Sequence, residues 1–273
     1  MKTDSPWLHR FAILVALFAL VAIILGAVVT SLERPIAATS AAIPAAAASF
    51  ELWHKVAGGV AVILMLVLAI GLRTPFGWNG VTMGLVLGLI EAGHSLPQAS
   101  GILHALVAQL FLGIIAAIAV MTSASWRRGP SLIDDTWKPS LRALSKAVPL
   151  VILLQTTLGA SYRFHALGVI WHILNAMIVL LLNLIVAVFL VRQFPEHPTL
   201  RPAALTLAII TGIQVLLGFT TFMMLILFPE TSLAVVITSV LHVTTGALTF
   251  AAGFALSVLI GYNIRRPGSE ALV

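Results

Sequence analysis

From Phe11 to Thr30 the chain carries no charged side chain. The same apolar texture returns seven more times before the C-terminus, each time after a short polar or proline-bearing break. A helix needs about 20 apolar residues to cross the hydrocarbon core of a bilayer. The pattern therefore predicts eight transmembrane helices, near residues 8–30, 50–72, 80–95, 100–124, 141–161, 167–191, 203–227 and 233–262, the third of them short. Lys2 and Arg10 at the start raise the question of a cleaved secretory signal, with the alanines from Ala45 to Ala48 imitating a cleavage site. The first apolar core is longer than a signal peptide needs, so an uncleaved anchor is expected.

Two marks recur along these spans. Near the outer end of each odd span stands a Leu-Gly pair: Leu25-Gly26, Leu87-Gly88, Leu158-Gly159 and Leu217-Gly218. In the outer part of each following even span stands a histidine: His54, His104, His172 and His242. Four crossings return a chain to the side it started from, so the recurrence predicts an internal duplication of parallel orientation. The expected fold is an all-α integral membrane protein whose eight transmembrane helices form two pseudo-symmetric four-helix bundles. Residues 1–128 make the N-terminal half, 129–140 a cytoplasmic linker with Asp134, Asp135 and Pro139, and 141–273 the C-terminal half.

Composition narrows the function classes. Of 273 residues, 60% are hydrophobic and 9% charged, which is far from a soluble domain. The net charge of +6 does not imply a nucleic-acid partner, because basic residues of membrane proteins gather at the cytoplasmic face and set orientation. Lys2, Arg10, Arg73, Arg127, Arg128, Lys138, Arg142, Lys146, Arg192, Arg201, Arg265 and Arg266 flank one side of the spans, against Arg34, Lys55 and Arg163 on the other. That bias predicts a multi-pass protein with both termini cytoplasmic. The absence of cysteine excludes thiolate metal sites, iron–sulfur clusters and disulfides.

An imidazole in hydrocarbon must find partners for its ring nitrogens or cost free energy. For any one of the four histidines, a hydrogen bond within helix packing is a sufficient explanation. Four of them, expected roughly 5–15 Å below the outer ends of their helices from the 1.5 Å rise per residue, point instead to a metal. Four residues after each lies a small residue, Gly58, Ala108, Ala176 and Gly246, although alanine and glycine are only about one residue in five. Such clearance suits a flat macrocycle; it also suits close helix packing, as at Gly84-x-x-x-Gly88. Heme is the natural candidate, held as two bis-histidine sites, one per half, with pairing across the halves as the alternative. Arg163, Lys55 and Arg34 would meet its propionates or serve as interfacial anchors.

Other metal chemistries fit less well. Glu51-x-x-His54 and Glu91-x-x-His94 have the spacing of di-iron carboxylate bundles, but the further glutamates such a site needs, among Glu33, Glu196, Glu230 and Glu270, fall in loops or the tail. A transporter would need intramembrane carboxylates to couple ions, and the spans hold few. His94 reads as an outer turn residue. His165, seven residues before His172, would share its face and shield a propionate, or sit at the interface. His9 and His197 belong to the cytoplasmic surface and take no role. Asn175, Asn183, Gln109, Gln155 and Gln214 read as interhelical hydrogen-bonding groups.

The segments "ELWHKVAGG", "SLPQASGILHALVAQLFLG", "LGASYRFHALGVIWHILNA" and "VLHVTTGAL", in that order, resemble the heme A synthase family over nearly the whole chain. The resemblance implies an oxidoreductase that converts heme O to heme A, oxidising a porphyrin methyl to a formyl group for terminal oxidase assembly. It implies that His54 and His104 flank the substrate iron in the N-terminal half, with Glu51 near the reacting edge. His172 and His242 would ligate a resident heme b, with Arg163 as a cofactor-binding residue. Implied partners are heme O as substrate, heme O synthase, a membrane electron acceptor and a second copy of the chain. For Glu51 the plain alternative is a carboxylate favoured at a helix N-terminus. Two functional alternatives stand beside the enzyme: a non-catalytic bis-histidine heme electron carrier of the same fold, and a heme-free transporter.

Overall fold

A computed structural model describes residues 6–32, 42–92, 97–230 and 232–265. They form α1 (Pro6–Leu32), α2 (Ala42–Leu72), α3 (Pro75–Ala92), α4 (Pro97–Met121), a single turn α5 (Ala124–Arg127), α6 (Leu141–Arg163), α7 (Val169–Gln193), α8 (Leu200–Leu227) and α9 (Leu233–Asn263). Extended pairing among the described residues is limited to an isolated bridge between Ile133 and Ile264. Seven helices are long and apolar enough to cross a membrane. The apolar stretch of α3, Pro75–Ile90, is shorter, about 24 Å against a hydrocarbon core of roughly 30 Å.

Local chemistry sets the helix ends. Proline opens α3 and α4, where the fixed φ suits the first turn and the missing N–H would have no partner anyway. The same reason lets α2 begin at Ala42 with Pro44 in its first turn, well before the expected start near residue 50. Ser140 caps α6 by accepting from the Ala143 N–H, and Ser232 caps α9 by accepting from the Val235 N–H. The Asp135 carboxylate accepts from the Leu141 and Arg142 amides at 2.7 and 3.1 Å, so the linker itself terminates α6.

Each of α1, α2, α3 and α4 packs against the next and α4 closes back on α1; α6, α7, α8 and α9 repeat that circuit. One apolar core, with Ala12, Val15, Met65, Leu68, Phe111 and Ile115, fills the first circuit. A second, with Val148, Ile152, Val186, Leu190, Leu207 and Phe250, fills the other. The circuits meet where α4 and α1 lie against α9 and α4 lies against α6. Glycine permits the close approach there: a Cβ on Gly113 of α4 would stand 2.7 Å from the Phe250 ring of α9, and the Phe164 ring occupies the space beside Gly101.

The linker at 129–140 is stitched to the end of α9 rather than trailing as a free loop. Ile133 donates its N–H to the Asn263 carbonyl, Arg265 donates its N–H to the Ile133 carbonyl, and the Arg265 guanidinium pairs with Asp134 at 2.9 Å. His197 is buried in this knot. Its Nε2 donates to the Ser131 carbonyl while its Nδ1 accepts from the Leu200 N–H at 3.1 Å, capping α8.

Candidate functional site

The four membrane histidines come together as two pairs. His54 of α2 and His104 of α4 have ring centroids 5.8 Å apart, with planes inclined at 57°. His172 of α7 and His242 of α9 have centroids 6.1 Å apart, with planes at 82°. In each case the two rings project from diagonal members of one circuit of helices. Pairing is therefore within each circuit, not across the two. The depths along the helices agree with expectation for His104 and His242 and depart from it for His54 and, slightly, His172. Counted from the helix starts, His104 and His242 lie about 10 and 14 Å down, His172 about 4 Å and His54 about 18 Å. The longer figure reflects the early start of α2; the rings still meet because the helix ends are uneven.

Three of the four Leu-Gly pairs explain how the rings enter. A Cβ on Gly26 would lie 2.9 Å from Cε1 of His54; on Gly159, 2.8 Å from Cε1 of His172; on Gly218, 2.9 Å from Cε1 of His242. Each imidazole thus packs on helix backbone bared by a glycine. Among the described residues nothing lies within 4 Å of a Cβ position on Gly88, so no described ring makes this contact in the second repeat. Gly58, four residues after His54, likewise has nothing within 4 Å, and at Gly246 only the Gln214 amide approaches, at 3.1 Å.

The glycine contact also aims the ring at a carbonyl one helical turn back. His54 Nδ1 is 2.8 Å from the Ala22 carbonyl, which can only accept, so Nδ1 carries the proton and Nε2 of the neutral ring keeps its lone pair. A ligating histidine is commonly fixed in this way. His172 Nδ1 is 3.3 Å from the Gln155 carbonyl, and the Gln155 side-chain nitrogen lies 3.0 and 3.2 Å from its two ring nitrogens. Asn175, also buried, donates to Gln155 Oε1 at 2.8 Å. His242 Nδ1 is buried and has no hydrogen bond of good geometry among the described residues.

Around the pairs the other expected residues fall as follows. Arg163, in the last turn of α6, donates from Nη2 to the Ala27 carbonyl at 3.0 Å and to Ser31 Oγ at 2.7 Å, tying α6 to the C-terminal end of α1. Glu51 lies one turn before His54 and is paired with Lys55 at 2.5 Å on a half-exposed surface. It stands nine residues into α2, too deep for the macrodipole of the helix start to explain it. His165 lies in the turn between α6 and α7 with φ of 58°, not on the helix of His172, so the shared-face argument does not hold. His9 bonds the Ala119 carbonyl at 2.8 Å, joining α1 to α4, and His197 is buried in the knot between the linker and the ends of α8 and α9; neither was legible as more than surface. Arg34 and the side chains of Glu91 and His94 lie outside the described residues.

Among the described residues no group of three or more His, Asp or Glu side chains converges. A bare metal ion usually takes three or four protein ligands, and among the described residues neither pair gathers that many. Two imidazoles in line on one metal would have centroids about 6.3 Å apart, from metal–nitrogen bonds of roughly 2.0–2.1 Å and about 1.1 Å more to each ring centre. The observed separations are within about half an ångström of that value. No family model matches the chain, and no curated protein matches it.

Proposed function

We propose that the chain is a heme A synthase-like membrane oxidoreductase that converts heme O to heme A while carrying a resident heme b. The observation that carries this reading is the occurrence of two histidine pairs, each at the separation of a bis-histidine metal site. The glycine-backed ring positions and the carbonyl fixing Nδ1 of His54 add to it, because both leave ring nitrogens available. The repetition of one circuit of helices by another supports eight membrane spans in two pseudo-symmetric halves, 1–128 and 141–273, joined by the linker. On this reading α3 crosses with its ends near the interfaces, and the basic bias sets both termini in the cytoplasm of a bacterial-type cell.

When bound, the heme supplies the redox iron and, in the first half, the methyl group to be oxidised. His54 and His104 would hold the substrate, and His172 and His242 would hold the resident group. Glu51 lies one turn from His54 on a half-exposed surface, and its carboxylate would stabilise positive charge on a porphyrin edge or accept a proton from water. Arg163, reaching from α6 to α1, would supply a cation to a propionate. Heme O synthase, a membrane electron acceptor and a second copy of the chain are the partners this reading implies.

Coexpression with a heme O producer tests it. Wild-type protein is expected to accumulate formyl-bearing heme, and Glu51→Ala or His54→Ala to abolish this while the second-half heme stays bound. Folded, heme-loaded wild-type protein that makes no heme A would contradict the reading. One observation favours a second: the Glu51–Lys55 pair is a surface i, i+4 ion pair that needs no chemistry to explain it. A bis-histidine electron carrier would keep both hemes, with only heme b among the extracted pigments.

A further inference from the structure

We propose that the cavity at the linker end of the molecule binds the phosphodiester headgroup of an anionic phospholipid, with Arg128 pairing to the phosphate. The cavity measures about 240 Å³ and is walled by segments distant in sequence: α5, the start of the linker, the approach to α8 and the last turns of α9. At about 30 Å³ per water it has room for roughly eight waters, which suits a phosphate with its glycerol ester rather than a whole lipid. Its walls are tied together. Tyr262 donates from its hydroxyl to the Trp126 carbonyl at 2.9 Å, and the two rings stack with centroids 3.7 Å apart. Ser131 donates its N–H to Asn263 Oδ1 at 2.9 Å, and its carbonyl accepts from His197 Nε2 at the same distance. Between Arg128 and the linker the chain turns at Gly129, whose φ of 96° lies in the region that glycine adopts without strain.

The lining carries one cation, Arg128, and no carboxylate. Asp134 is paired with Arg265, and Asp135 accepts from two amides of α6, so neither carboxylate of the linker competes for Arg128. A guanidinium offers parallel N–H groups that match two oxygens of a phosphate, and Ser131 adds a hydroxyl beside it. The place of the cavity selects a lipid over a soluble anion. The cavity lies where two spanning helices run out: Trp126 follows the end of α4 by five residues, and Tyr262 belongs to the last turn of α9. Trp and Tyr at the end of a membrane span sit at headgroup level. Leu259, one turn back along α9 and part of the second apolar core, lines the side nearer the hydrocarbon. Arg127, Arg192, Arg201 and Arg265 stand at the same helix ends and draw anionic lipid to this leaflet. The site depends on the membrane-spanning fold and not on heme.

The test uses the full-length protein, delipidated in a mild detergent and titrated with phosphatidylglycerol, with zwitterionic phosphatidylcholine and with inorganic phosphate, bound molecules being counted by native mass spectrometry. Wild type is expected to take up one phosphatidylglycerol about tenfold more tightly than phosphatidylcholine, and millimolar phosphate to leave it in place. Arg128→Gln is expected to weaken phosphatidylglycerol about five- to tenfold. Ser131→Phe fills the cavity while keeping the backbone bonds to Asn263 and His197, and is expected to weaken it as much. Lys146→Gln removes an exposed cation of α6 that is not part of the lining, and is expected to bind like wild type. Equal binding of the two lipids overturns the proposal, as does a loss in Lys146→Gln equal to that in Arg128→Gln, which would make the effect one of diffuse surface charge. Displacement of phosphatidylglycerol by millimolar phosphate overturns the lipid assignment in favour of a soluble anion.

Discussion

At the scale of residues, Gly26, Gly159 and Gly218 do the same thing on three helices: each removes the Cβ that would collide with an imidazole. Alanine at these positions overpacks the contact, a change that typically costs about 1–3 kcal/mol. Gly159→Ala and Gly218→Ala are therefore expected to lower low-spin heme per protein about tenfold at limiting heme. Gly88→Ala, with open space at its Cβ position, is expected to stay at the wild-type level. Absorbance of the purified variants decides it; equal losses at all positions would mean the glycines serve general packing. The Leu-Gly repeat was visible in the sequence, but its purpose was not, because a close approach involves a ring on another helix. Gln155 and Asn175 were legible as interhelical hydrogen-bonding groups and no further, since amides join helices in many ways that spacing does not distinguish.

At the scale of elements, apolar length located the helices and most of their ends to within a few residues, the starts of α2 and α3 excepted. The start of α2 at Ala42 escaped notice because an alanine-rich stretch reads equally as loop or helix when only hydrophobicity is followed. The linker was legible as a basic connection, but not its stitching to the end of α9, whose partners lie more than a hundred residues away. Two changes test whether that stitching contributes to stability. Asp135→Ala removes the acceptor of two amides at the start of α6, an expected cost of about 1–2 kcal/mol. His197→Ala removes both the cap on α8 and the bond to Ser131, and leaving such buried groups unpaired costs about 1–3 kcal/mol. Both variants are expected to melt several degrees below wild type in detergent, with the heme spectrum unchanged because the knot lies far from the histidine pairs. A melting temperature equal to wild type in both would show the knot to be energetically idle.

At the scale of the whole molecule, the helices of each circuit enclose one pair of histidines, and α4 and α9 carry a ligand candidate each while also forming the seam between circuits. The proposed orientation follows from charge alone, so it is tested separately: a fluorescent reporter fused after Val273 is expected to be active and a periplasmic phosphatase reporter inactive. The reverse result would invert the topology without touching the pairs. That each even span carries a histidine was plain from the sequence; that they pair within circuits required the fold, since spacing along a chain does not say which helices stand on a diagonal. The most direct measurement is the visible and low-temperature EPR spectrum of the detergent-purified protein from heme-replete cells. Low-spin bis-histidine heme is expected, with the second-half signal lost in His242→Ala and retained in His54→Ala. Folded wild-type protein without a Soret band, or a heme signal indifferent to all four histidines, would contradict the assignment of the pairs to iron.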